Sequence, residues 1–476
     1  MSSIYSNRLE TRNFQIKLEP KSSRTRDKFG ELEKGEITGD HVAFENMDQG
    51  MPFRGNFITN KNDKKVLLDN QINDFSLFDK NNNNQFKINY YDPHTDKNNL
   101  SSVKNSEKLE YSNILVNNDI NKLSNNIDEF GYFLYNNIQK YLLKNKYLIG
   151  SFNLHVILSS LFVASKNKTL LELKNYLNLN DKSKTMADLN LLYSELEKIS
   201  NSHNESIDIL NFFIIPYEYK INKTFVSYLP CIKILNYESK FTDLDNECKK
   251  INKYISNCHN YNFTNTIKTN YLKNNSIIAL ITGKIEPMWE NNFDDIVTDI
   301  FVSYTKRKQL FLLSKNKDYN YFSHDKLELL EIQSYDKKIS FGIITTNDTY
   351  FPQINYDTIN YMISNLAPTN FKYLILPQIK ENLKMRYTNI LKESGLQTIF
   401  DNIEIPELLV DNNISINDIL QNIYLVIDKN NSNNTKNNKN TVQIKNPPIV
   451  KKIDTPFIYY IRLNTINTIL CIGQYC

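Results

Sequence analysis

The stretch DTPFIYYIRLNTINTILCIGQ, Asp454–Gln474, carries the reading of the fold. Its part from Pro456 to Ile472 is dense in Ile, Tyr and Thr, residue types that favour extended chain, and it holds two strand candidates. Working upstream, Leu327–Gln333 and Ile339–Thr345 form a hairpin candidate around Tyr335-Asp336-Lys337. Ser206–Pro216 (SIDILNFFIIP) and Asn275–Thr282 (NSIIALIT) are apolar runs of strand length. Between these lie helical patterns. In Asp128–Leu143 the spacing puts Phe130, Phe133, Leu134 and Ile138 on one face, with Asp128 as the expected N-cap. Val156–Ser165 reads as a buried helix and Thr169–Leu179 as an amphipathic one. Helices and strands are interspersed, so an α+β domain over residues 126–476 is expected, larger than most.

Composition bounds the rest. The chain has 476 residues, with 57 Lys+Arg against 53 Asp+Glu, 40% hydrophobic and 12% aromatic. That is ample for a buried core and excludes global disorder. A net charge of +4 gives no basis for a nucleic-acid surface. About one residue in seven is Asn, and its rise together with Lys, Ile and Tyr marks an AT-rich coding sequence rather than a chemistry. Residues 1–125 differ from the remainder: they hold Gly30, Gly35, Gly39, Gly50 and Gly55 and the tract Asn81–Asn84. Too little apolar surface is present there to offset chain entropy, so residues 1–125 are expected to be an extended arm and Asn-rich linker. Met1–Arg12 has no apolar run, and no stretch approaches the ~20 apolar residues of a span, so neither a secretion signal nor a membrane partner is expected.

The five cysteines, Cys231, Cys248, Cys258, Cys471 and Cys476, contain no CxxC pair, which favours free thiols over a disulfide framework or a zinc site. The six histidines (His41, His94, His155, His203, His259 and His324) are scattered, with no HExxH, GxSxG or P-loop pattern. No catalytic set, metal site or cofactor is expected, and each histidine reads as a packing or surface residue.

Several segments, in order, resemble the serpin family. In the closing stretch Phe457, Ile461, Arg462, Asn464, Ile469, Leu470 and Gly473 fall on the family's fixed positions. Trp289, Phe293, Thr298 and, with a two-residue shift, Phe301 follow a second pattern, and Ile251, Asn252 and Tyr254 begin a third. DEFGYFLYN resembles the family's first helix, SKNKTLLELKNYL an early surface helix, and Asn389–Asn402 the segment before the reactive loop. The resemblance covers about residues 126–476. It implies three β-sheets, eight or nine helices and an exposed reactive-centre loop.

What that resemblance implies for function is conditional. In an inhibitory serpin a serine or cysteine protease attacks the exposed loop, and the cut loop inserts as a new strand of the main sheet, distorting the protease. Loop length matches, with Lys445 before and Asn446 after the scissile bond, a Lys suited to a trypsin-like pocket. The hinge departs from the family. Where inhibitors carry Glu, Gly, Thr and small residues, this chain has DKNNSNNTKNNKNT, with Lys429 for the Glu and Asn431 for the Gly. Alternate residues Ser432, Asn434, Lys436 and Asn438 would face the core, at roughly 1–3 kcal/mol per unpartnered polar group and more for a charge. The polar latch beneath the sheet is altered too: Gly150 and Asn153 stand for its two serines, Ile281 for its Asn and Gln421 for its His.

In the arm, Gly35, Ile37, Thr38, Asp40, His41, Asn46, Met47, Pro52 and Phe53 resemble an N-terminal run in minor virion proteins of large cytoplasmic DNA viruses. The expectation is therefore a divergent, viral, non-inhibitory serpin-like protein, intracellular or in the virion. It would act as a binding or virion-structural module, with residues 29–57 available to a capsid or virion protein. The alternative is an inhibitor of a trypsin-like serine protease or a cysteine protease through Lys445.

Overall fold

The structure is a computed structural model that describes residues 106–200, 205–229, 231–238, 243–263, 265–272, 276–346, 351, 353–410, 414–429 and 449–476, all in one unit spanning residues 98–476. In chain order it begins with α1 (Ser106–Gln139), β1 (Tyr147–Ile149), α2 (Ser151–Ala164), α3 (Asn167–Tyr176), α4 (Lys182–Ser200) and β2 (Glu205–Pro216). There follow α5 (Lys223–Ser227), β3 (Lys233–Tyr237), α6 (Leu244–His259), α7 (Thr269–Leu272), β4 (Ile277–Pro287), β5 (Asp295–Val302) and β6 (Lys306–His324). Then come β7 (Leu327–Gln333), β8 (Ile339–Thr346), α8 (Tyr356–Ser364), β9 (Ala367–Pro377), β10 (Ile379–Arg386), α9 (Thr388–Glu393) and α10 (Thr398–Asp401). The chain closes with β11 (Ile416–Ile427), β12 (Ile449–Lys452), β13 (Phe457–Leu463) and β14 (Thr468–Tyr475). These make ten helices among the described residues, two of them only four residues long.

The closing stretch folds as the antiparallel pair β13–β14, with Tyr460 opposite Ile472, and every residue of both strands is buried. They lie inside a nine-stranded sheet of order β1-β14-β13-β8-β7-β6-β9-β12, with β5 paired to β6. The 19-residue β6 pairs β5 through its first half and β7 through its end, so the expected second and third sheets join through one strand. The hairpin around Tyr335–Lys337 is present as β7–β8. Close packing at the closing strands leaves no room for a side chain at Gly473, where a Cβ would sit 2.2 Å from the Tyr147 carbonyl.

The five-stranded sheet has the order β10-β11-β4-β2-β3. Its strands alternate sides by the period of two. Ile419, Ile423 and Leu425 of β11 and Ala279, Ile281 and Ile285 of β4 join the main core. Leu420, Ile278, Leu280, Phe212 and Ile214 face outward, where Ile251 and Ile255 of α6 cover them. The β4 strand runs on past the expected Thr282 to Pro287, because Gly283 and Lys284 continue the ladder with β2.

Two local expectations are corrected. Asp128 does not start a helix: α1 begins at Ser106 and crosses position 126. The Asn-rich sequence before Asp128 carries no apolar period strong enough to mark that helix. Asp128 is buried instead and accepts a 2.7 Å hydrogen bond from the Ile469 amide. Phe133 leaves the apolar face of α1 and is 45% exposed, while Phe130, Leu134 and Ile138 are buried.

Candidate functional site: the seam between β4 and β11

β11 and β4 are parallel and directly hydrogen-bonded from Ile416↔Ile277 to Leu425↔Ile285. A parallel pair is joined edge to edge here with nothing between, so any strand entering the sheet at this point must part it. Polar side chains hold both faces of this seam.

On the core face, Gln421 reaches from β11 to the start of α2. Its Oε1 accepts from the Gly150 amide at 2.7 Å and from the Tyr387 hydroxyl at 2.5 Å. Its Nε2 donates to the Leu148 carbonyl at 2.7 Å. Gly150 is what allows this approach, since a Cβ there would lie 2.9 Å from Gln421 Oε1. Asn153, on α2, donates to Asn211 Oδ1 on β2 at 3.0 Å, and Asn211 donates to the Cys231 carbonyl at 3.2 Å. Two latch positions expected to be altered, Gly150 and Gln421, are thus brought together as a rebuilt latch. Asn153 takes a different partner, and Ile281 packs in the core. Tyr387 and Asn211 were missed, because each joins through tertiary contact from an otherwise ordinary segment. His155, also on α2, is buried, and burial lowers it to about 3, so it stays neutral.

On the outer face, His259 at the end of α6 contacts Asp208 Oδ2 through Nδ1 at 2.7 Å and Thr282 Oγ1 through Nε2 at 2.7 Å. The order Asp-His-Thr has the form of a nucleophile and its base. However, the His259 ring is 0% exposed and Thr282 is likewise fully buried, so no substrate reaches the hydroxyl. His324 lies at the surface beside Phe322 and Tyr361. Among the described residues no group of three metal-ligating side chains occurs. All five cysteines are free thiols, four of them buried.

At the end of β11, Asp428 closes the described strand. Its carboxylate is bonded by Gln378 at 2.5 Å, by Lys380 at 2.6 Å and by the Lys429 amide at 2.6 Å. Burial pushes that carboxyl up, but these three donors outweigh it and hold it below its usual range. Lys429 extends to the Asp294 carbonyl. Of the expected hinge, Asn431, Ser432 and Asn434, and of the expected scissile bond, Lys445 and Asn446, all lie outside the described residues. So do Phe29–Phe57 of the arm.

A five-stranded sheet with a parallel β4–β11 seam, latched on its core face by Gln421 and covered on its outer face by α6, defines the class of α+β protein to which the chain is compared. The model of the serpin (serine protease inhibitor) family matches residues 125–476, and the chain belongs to the serpin family. Solved structures bear out the fold. Maspin is similar with a TM-score of 0.68 at 16% identity, covering 75% of this chain and 99% of maspin. Native protease nexin-1 with heparin has a TM-score of 0.64 at 18% identity, covering 75% and 98%. Mouse protein-Z dependent protease inhibitor has 0.63 at 17%, covering 75% and 97%. No curated protein sequence matches the chain. Members of the serpin family are mostly protease inhibitors rather than enzymes.

Proposed function

We propose that this serpin-family chain does not carry out the inhibitory strand insertion. It works as a binding or virion-structural module of viral origin, inside the cell or the virion, with Phe29–Phe57 docking on a capsid or virion protein. One observation carries the non-inhibitory part: the core face of the seam. A strand entering between β4 and β11 would put alternate side chains between Ala279, Ile281 and Ile285 on one side and Ile419, Ile423 and Leu425 on the other. In this chain those side chains are Ser432, Asn434, Lys436 and Asn438. Gln421 is the one polar side chain in those rows, and both ends of its amide are already bonded. Four polar groups among aliphatic neighbours, at roughly 1–3 kcal/mol each and more for the lysine, oppose the gain from new ladder bonds. The arm reading is supported by the sequence resemblance at Gly35–Phe53 alone.

The test is limited proteolysis within Asp428–Pro448 followed by a melting curve. The midpoint should stay unchanged after cutting. A large upward shift would mean that the loop inserts.

A second reading, inhibition of a trypsin-like serine protease or a cysteine protease at Lys445, is favoured by one feature. The seam is closed on itself in five strands, which is the loaded arrangement an inhibitor requires. Incubation with such proteases followed by denaturing electrophoresis separates the readings: a stable covalent complex supports the second.

A further inference from the structure

A cleft of about 280 Å³ opens between α1 and the start of α8. Its walls are aromatic. Tyr132 and Phe133 come from α1 and Tyr356 from α8, and the Tyr132 and Tyr356 ring centroids stand 6.5 Å apart at a tilt of 58°. Tyr132 is buried, Tyr356 is partly buried and Phe133 is exposed. Phe133 is the residue that leaves the apolar face of α1, and its ring is set edge-on to Tyr176 with centroids 6.3 Å apart. The two walls are bonded to each other. Asn136 of α1 donates through Nδ2 to the Ile354 carbonyl at 2.6 Å and accepts through Oδ1 from the Ile354 amide at 3.2 Å. Asn355 accepts from the Thr358 amide at 2.8 Å, which fixes the first turn of α8. The shape of the cleft is therefore set by the fold itself.

The charge around these rings has one sign. Glu129 and Asp357, both exposed, line the cleft, and among the described residues that line it none is basic. Burial and then the carboxylates of Asp128, Glu129 and Asp357 push the Tyr356 hydroxyl above its usual range, so negative potential converges on that ring. Arg462, near Tyr132, is matched by Glu331, which receives its Nε at 3.0 Å and NH2 at 2.7 Å. Asp357 by itself has a helical reason, since an acid in the first turn of α8 offsets the helix dipole. The helix gives no reason for three aromatic rings bordering one space between two carboxylates. A ring face attracts a cation within about 6 Å of its centroid, and weakly hydrated cations give up the least to come there. We infer that this cleft is a binding site for an organic cation, a quaternary ammonium or guanidinium group, which lies against Tyr132, Phe133 and Tyr356 while Glu129 and Asp357 balance its charge. Ligand pockets run from ~300 Å³ upward, so this one takes a head group or one side chain rather than a large molecule. A free quaternary amine and an arginine side chain of a partner protein offer the same chemistry. The site is built by α1 and α8, not by β4 and β11, and it stands whether or not the cut loop inserts.

Titration calorimetry of the full chain with choline and with dimethylbutanol, its uncharged carbon analogue, tests the site. Choline should bind about tenfold more tightly or better, because the analogue keeps the shape and loses the charge. Acetyl-arginine amide, run alongside, separates the sources: tighter binding than choline assigns the site to an arginine side chain, and weaker binding to a free quaternary amine. Phe133→Ala and Tyr356→Leu should each weaken binding of the preferred cation by about two- to fivefold. Glu129→Gln should weaken it at low salt and have little effect at high salt. Phe133 and Glu129 are exposed, so their variants should keep the parent melting midpoint, and they carry the test if Tyr356→Leu folds poorly. Equal affinity for choline and its uncharged analogue, no binding of either cation up to about 10 mM, or full affinity in both Phe133→Ala and Glu129→Gln would overturn the site.

Discussion

Replacing Gln421 by Leu removes the inner latch while nearly conserving volume. In the parent, the side chain satisfies the Gly150 amide, the Leu148 carbonyl and the Tyr387 hydroxyl, and Gln421 and Tyr387 are almost wholly buried. The Gly150 amide keeps one fallback, since it also donates to the Tyr387 oxygen at 3.2 Å. The Leu148 carbonyl and the Tyr387 proton lose the bonds Gln421 gave them. Each buried group left in that state costs roughly 1–3 kcal/mol, and burying a leucine returns part of it, so a net loss of about 2–4 kcal/mol is expected. Urea unfolding at pH 7, followed both by fluorescence of the single tryptophan, Trp289, and by far-ultraviolet circular dichroism, measures it. Gly150→Ala should cause a comparable loss, because its Cβ would press on Gln421 Oε1 from 2.9 Å. The double variant should lose clearly less than the sum of the two, since both break the same contact. A loss below about 1 kcal/mol for Gln421→Leu, or strict additivity in the double variant, would refute the latch.

Glu331 receives Arg462 Nε at 3.0 Å and NH2 at 2.7 Å and the Tyr460 hydroxyl at 2.7 Å, all buried, so Glu331→Leu strands an arginine and should cost about 3–5 kcal/mol in the same urea assay. Burial pushes the Asp128 carboxyl up to about 8, against the opposing Ile469 amide and Arg462. A raised acid favours its neutral form in the folded chain, so its stabilisation is whole below about pH 4 and is lost as pH rises toward 8. Asp128→Asn can still accept from the Ile469 amide, and its melting midpoint should fall less than the parent's between pH 5 and 8. Gly473→Ala places a Cβ 2.2 Å from the Tyr147 carbonyl and should leave little soluble protein on expression, whereas Gly395→Ala meets open space and should cost only the strain of its φ of +107°.

The sequence alone determined the family and most of the elements. Phe457, Ile461, Arg462 and Gly473 sit at fixed spacings in a strand pair whose residues are all buried, and such spacing survives because each side chain has one allowed place in the packing. The hairpin at Tyr335–Lys337 was legible for a local reason: its turn and both flanking runs are adjacent in the chain. The polar character of Ser432, Asn434, Lys436 and Asn438 was equally plain. Only the tertiary structure decided what that polarity would meet, because the Ile and Leu rows facing the seam come from β4 and β11, more than a hundred residues apart in sequence. The same holds for the latch. A glycine at 150 and a glutamine at 421 read as two losses, yet they are one contact, since the absent Cβ makes the space that the longer side chain fills. Asp128 looked like a helix cap because an aspartate before an apolar period does so often, and its real partner, the Ile469 amide, lies 341 residues away. Local chemistry marks where a chain bends and which face is apolar. Which polar groups satisfy one another across a buried sheet is set by packing, and no local pattern in the sequence carries it.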